Sequence, residues 1–82
     1  MKTVAYGKAA RKTLLAMPRP TAKRIRAKVA AYAADPASMA NNVKVMKGMP
    51  LKRLRVGNWR VLFEDDVVIE VVEIGARGSG YD

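Results

Sequence analysis

The side chains best suited to chemistry in this sequence are cationic. Arg53, Arg55 and Arg60 are spaced around a Gly57-Asn58 pair, and Arg77 and Tyr81 follow within the last six residues. A planar guanidinium fork binds two oxygens of one phosphate at once, so arginines gathered on one surface make an anion site. The chain has no His and no Cys. That excludes Ser-His-Asp and Cys-His nucleophilic sites, Cys/His zinc centres and disulfides. The absence of Cys also fits a reducing compartment.

Whether these arginines share a surface depends on a hairpin. Residues 51–56 and 59–64 alternate as strands, and Gly57-Asn58 between them is a two-residue turn with Gly where a positive φ is needed. That turn fixes the register: Val56 opposite Trp59, Arg55 opposite Arg60, Leu54 opposite Val61 and Arg53 opposite Leu62. Side chains alternate between faces along each strand. Leu54, Val56, Trp59, Val61 and Phe63 then form a core face, and Arg53, Arg55 and Arg60 lie on the other. Two like charges facing each other across a ladder destabilise it, so folding alone does not select that pair. Two arrangements fit the pattern. In one, water solvates the guanidiniums, or Glu70 on the next strand pairs with Arg60. In the other, the arginines preform an anion pocket, and Gly75, Gly78 and Gly80 let the C-terminal segment bring Arg77 and the Tyr81 hydroxyl to the same face.

The rest of the chain supplies the scaffold. Eighty-two residues make one domain, residues 1–82, with a thin core. Thirteen of the 41 hydrophobic residues are Ala, and the larger aliphatics are spread along the whole chain, which argues against disorder. Thr3-Val4-Ala5-Tyr6 reads as a short strand. Residues 8–16 read as a helix with Ala9, Ala10, Leu14 and Leu15 on its inner side. Met17-Pro18-Arg19-Pro20 breaks it, and a second helix runs from about Pro18–Thr21 to Ala34 with an inner stripe of Ala22, Ile25, Val29, Tyr32 and Ala33. Asp35-Pro36 ends that helix. Residues 36–50 read as a connection anchored by Val43, Val45 and Met46. A third strand is expected over 67–74, after a Glu64-Asp65-Asp66 turn, with Val67, Ile69 and Val71 facing the core. The order is β-α-α-β-β-β: a small α+β domain, with a helical hairpin packed on one face of a largely antiparallel sheet.

Charge is distributed unevenly. Residues 1–34 hold nine Lys/Arg and no acid, residues 35–60 hold six and one acid, and residues 61–82 hold one base and six acids, for a net charge of +9. Such a field favours a polyanion, with nucleic acid the commonest, or an acidic protein. No stretch approaches the ~20 apolar residues that span a bilayer. The early MKTVAYGKAARK turns basic at once and does not read as a signal peptide.

The run Leu51-Lys52-Arg53-Leu54-Arg55-Val56-Gly57-Asn58-Trp59-Arg60-Val61-Leu62-Phe63 resembles the signature hairpin of RelE/ParE-superfamily toxins. Ile74-Gly75-Ala76-Arg77-Gly78-Ser79-Gly80-Tyr81 resembles their closing Gly-x-Arg…Tyr segment, and Asp35-Pro36 and Lys47-Gly48 match the family layout. The resemblance covers nearly the whole chain. It implies a RelE-like fold and the toxin of a type II toxin–antitoxin pair, acting in the cytoplasm and forming a hetero-oligomer with an acidic cognate antitoxin. RelE-like members act on the ribosome, where they cleave mRNA by 2′-OH attack on the phosphodiester. The resemblance places Arg53 and Arg55 beside the reacting phosphate. Arg60 and Arg77 stabilise that phosphate, and Tyr81 stacks on a base or assists proton transfer. It implies no metal or organic cofactor. Arg is a poor base, so Tyr81, Lys52 and Glu70 are the candidates to move the proton. Lys52 points away by alternation, and Glu70 reads better as a salt-bridge partner. The alternatives are a ParE-like gyrase inhibitor and a non-catalytic basic binding module.

Overall fold

The computed structural model describes residues 2–76. The chain runs β1 (Thr3–Tyr6), α1 (Lys8–Ala16), α2 (Arg19–Ala34), a 3₁₀ segment (Pro36–Asn42), β2 (Val43–Val45), β3 (Lys52–Val56), β4 (Trp59–Asp65) and β5 (Val68–Ala76). The five strands form one sheet in the order β1-β5-β4-β3-β2, in which β1 runs parallel to β5 and every other pair is antiparallel. The expected α+β architecture holds, with β2 as an added edge strand. Three residues are too few to display an alternation, which is why the sequence shows only a connection there.

The punctuation acts as its chemistry requires. Pro18 caps α2 and Pro20 sits in its first turn, where a missing N–H costs nothing. Asp35 leaves the helical region ahead of Pro36, and its backbone N–H still bonds the Ala31 carbonyl. Gly57 has φ 58° and its partner Asn58 does not take a positive φ, the pattern of a type II′ hairpin turn.

The helices cover one face of the sheet. Ala10 and Leu14 of α1 and Ile25, Val29, Tyr32 and Ala33 of α2 pack on Leu54, Val56, Val61, Phe63, Ile69, Val71 and Ile74. Tyr32 meets Phe63 edge to face, with centroids 5.0 Å apart. Several expected core positions lie outside it. Leu15 is 83% exposed, because it is turned about 100° from Leu14 around the helix; Ala9 is exposed as well. Val67 is exposed in the β4–β5 turn, and Val45 is exposed on the edge strand. Met39 of the 3₁₀ segment, not Val45, closes the core at that end. The turn itself is shorter than expected: Asp65 belongs to β4.

One irregularity governs the charged face. The β4–β5 register shifts between Leu62, which pairs with Glu73, and Phe63, which pairs with Val71. One residue of β5 is extra, a β-bulge that re-phases the strand. Among the described residues, no helix is long and apolar enough to cross a membrane.

Candidate functional site

The hairpin register is the one the sequence dictates: Val56 pairs with Trp59, Arg55 with Arg60, Leu54 with Val61 and Arg53 with Leu62. On the face away from the helices the strands contribute two rows. One row crosses the sheet as Lys44, Arg53, Leu62 and Glu73; the next runs Arg55, Arg60 and Gly75. Lys44, Arg53 and Arg55 line a cavity of about 180 Å³ together with Asn41 and Asn42. Three cations and two amides converge there, and among the described residues no carboxylate lines it. Such a set holds an anion by charge and orients it by hydrogen bonds.

The expected site residues divide accordingly. Arg53 and Arg55 reach the cavity, Arg53 half-buried and Arg55 exposed. Arg60 occupies the same face beside Arg55 but is 6% exposed and does not line the cavity. Its guanidinium donates long hydrogen bonds to the carbonyls of Trp59 (3.3 Å) and Gly57 (3.5 Å), so it braces the turn. Arg77 and Tyr81 lie outside the described residues. Lys44, Asn41 and Asn42 were not anticipated. No local signal marked them, because Val43-Lys44-Val45 is too short to show an alternation.

The expected Glu70–Arg60 pair does not form. Glu70 lies opposite Glu64, and Arg60 lies opposite Gly75. Five residues along β5 separate the two positions, roughly 17 Å at strand rise. Glu70 is neither partner nor base for this cluster.

Lys52 does point to the helix side, and it is engaged there. Its ammonium lies 3.0 Å from Asp65, which also accepts a hydrogen bond from Lys2 and one of 2.6 Å from the Tyr32 hydroxyl. Burial alone would raise the Asp65 carboxyl. The three donors outweigh it and hold the group well below the ordinary carboxylate range. The Tyr32 hydroxyl is pushed up by burial and by its bond to Asp65, and Lys52 is pushed up chiefly by its bond to Asp65. This is a structural network on the opposite side of the sheet from the cavity. Among the described residues, no cluster of three or more acidic side chains stands ready as a metal site.

A second cavity, about 350 Å³, opens at the hairpin tip and is lined by Pro20, Thr21, Arg24 and Ile25 of α2 and by Val56, Gly57, Asn58 and Trp59.

A family model described as "ParE toxin of type II toxin-antitoxin system, parDE" matches residues 4–81. Three solved structures share the fold. A chain of the archaeal RelE–RelB complex from Pyrococcus horikoshii OT3 superposes with TM-score 0.78 at 23% identity, covering 96% of this chain and 98% of that one. One from the intact E. coli RelBE toxin–antitoxin complex gives 0.75 at 16% identity, covering 93% and 96%. One from the RelB–RelE complex of Methanococcus jannaschii gives 0.72 at 25% identity, covering 95% of each. No curated protein sequence gives a significant match.

Proposed function

Since the chain belongs to the ParE toxin family and is the toxin of a type II toxin–antitoxin system, we propose that it arrests translation as a ribosome-dependent endoribonuclease. The observation that carries this reading is the cavity where Lys44, Arg53 and Arg55 converge with Asn41 and Asn42. A phosphodiester fits that chemistry. In the proposed step the 2′-oxygen attacks the adjacent phosphorus, the bond to the 5′-oxygen breaks, and the products are a 2′,3′-cyclic phosphate and a 5′-hydroxyl. Charge grows on the non-bridging oxygens, where preorganised cations act most strongly. Arg53, Arg55 and Lys44 hold that phosphate, and Arg60 fixes the turn beside it. Arg77 adds charge, and Tyr81 stacks on a base.

Two protons move in this step: one leaves the 2′-hydroxyl and one reaches the 5′-oxygen. Lys52 and Glu70 are remote from the cavity, and arginine keeps its proton. Lys44 is the lining side chain that can exchange one, so the proton transfers fall to Lys44 and Tyr81. The partner is an acidic antitoxin that neutralises the basic surface, forming the kind of hetero-oligomer seen in the RelE–RelB structures.

Induced expression followed by mapping of transcript ends tests the reading. Cuts within translated regions are expected, and intact transcripts at a toxic dose would refute it. The name of the matching family model favours one second reading, inhibition of gyrase. It predicts DNA-damage signalling with unbroken mRNA.

A further inference from the structure

The cavity at the hairpin tip shares no lining residue with the one formed by Lys44, Arg53 and Arg55. Its volume, about 350 Å³, lies within the range of small-molecule sites. Its floor is apolar, from Ile25 and Val56, and Trp59, the only Trp in the chain, is half-buried at its wall. The rim is polar: Thr21, Asn58 and Arg24. A Cβ placed on Gly57 would lie 3.6 Å from Arg24 Nη1 and 3.8 Å from both Cζ and Nη2, so the guanidinium rests against the glycine backbone. Among the described residues, Arg24 makes no hydrogen bond or ion pair and no carboxylate lines the cavity. A flat aromatic surface, a planar cation and two hydrogen-bonding side chains together recognise a nucleobase.

Position supports the same occupant. Trp59 and Arg60 are consecutive on β4 and point to opposite faces, and the Val56–Trp59 pair lies directly between the turn and the Arg55–Arg60 pair. A single strand whose phosphate lies on the arginine face needs only to pass over the hairpin tip to reach this cavity. Gly57, without a side chain, keeps that crossing low.

We propose that the cavity between the start of α2 and the β3–β4 turn binds a base of single-stranded RNA flanking the phosphate held by Arg53 and Arg55. Trp59 and Arg24 supply the stacking surface, and Asn58 and Thr21 supply edge contacts. The proposal rests on the endoribonuclease reading for its substrate class.

Trp59 makes the test direct, because the single indole reports on this cavity alone. The purified chain is titrated with a 2′-O-methyl oligoribonucleotide, which cannot be cut, then with an abasic strand of the same length, then with inorganic phosphate. The base-bearing strand is expected to quench Trp59 and bind about tenfold more tightly than the abasic one. Arg24→Ala is expected to remove about tenfold of that affinity, with Arg24→Lys in between and the circular dichroism spectrum unchanged. Equal binding of the base-bearing and abasic strands, or Arg24→Ala equal to the parent, overturns the proposal. If Arg24→Ala retains full affinity while cleavage still depends on Arg53 and Arg55, the base subsite fails and the endoribonuclease reading stands. If the subsite binds as expected while transcripts stay whole, the cleavage reading fails and the subsite stands.

Discussion

Replacing Asp65 with Ala tests how this small fold is held at the end remote from the hairpin tip. The Asp65 side chain is only 8% exposed and collects hydrogen bonds from Tyr32, Lys52 and Lys2. The Tyr32 hydroxyl, on a residue 4% exposed, loses a charged acceptor, which costs about 1.5–3 kcal/mol. The lysines are 40% and 37% exposed, so water compensates them and each pair contributes at most about 1 kcal/mol. The sum is about 1.5–5 kcal/mol, against a total of roughly 4–12 kcal/mol for a chain of this length. Urea denaturation followed by Trp59 fluorescence should show that loss, and Tm should fall by roughly 6–40 °C. The pH dependence has a fixed sign. The Asp65 carboxyl is held below its ordinary value, so its contribution is complete above about pH 4 to 5 and is lost as pH falls towards the folded-state value. Tyr32 and Lys52 are raised, so their contribution is complete below about pH 10 and is lost as pH rises through their folded-state values. Asp65→Ala should flatten both limbs. A loss under about 1 kcal/mol, or an unchanged acid limb, would refute the reasoning.

Other substitutions separate folding from function. Arg55→Thr removes the like-charged pair across β3–β4 and should stabilise the fold by about 0.2–1 kcal/mol while weakening toxicity, read by thermal melts and growth assays. Leu14→Ala should cost about 2–5 kcal/mol in urea titration, whereas Leu15→Ala should stay within about 0.5 kcal/mol, because Leu14 is buried and its neighbour is not. Gly57→Ala forces a side chain into φ 58° and should cost about 1 kcal/mol or more, measured the same way, although the space beside Gly57 admits a methyl group.

The parts of the fold that were legible in the sequence were those where a residue type leaves the backbone one option. Gly57-Asn58 set the hairpin register, and with it the core face and the placement of Arg53, Arg55 and Arg60. Pro18, Pro20 and Asp35-Pro36 set the ends of α2. What escaped had no local signature. The bulge lies in an apolar run, Val67, Val68, Ile69, Val71 and Val72, whose phase cannot be read from residue type. It set Glu70 opposite Glu64 rather than Asp65. Asp65 sits in an acidic triplet that reads as a turn, yet it is the buried acceptor of a network whose donors come from distant segments. Lys44 belonged to an apparent connection, and pairing with Arg53 across β2–β3 alone made it part of the cavity.

The central claim is that this toxin cuts RNA using the cations of the outer sheet face. The most direct measurement supplies purified protein to ribosomes programmed with a defined mRNA and reads the ends produced. The account predicts a 2′,3′-cyclic phosphate and a 5′-hydroxyl at one bond in the ribosome-bound message, and cleavage about 10²–10³-fold slower with Arg53→Ala or Arg55→Ala. Intact message at inhibitory protein concentrations, or cleavage indifferent to both substitutions, would contradict it.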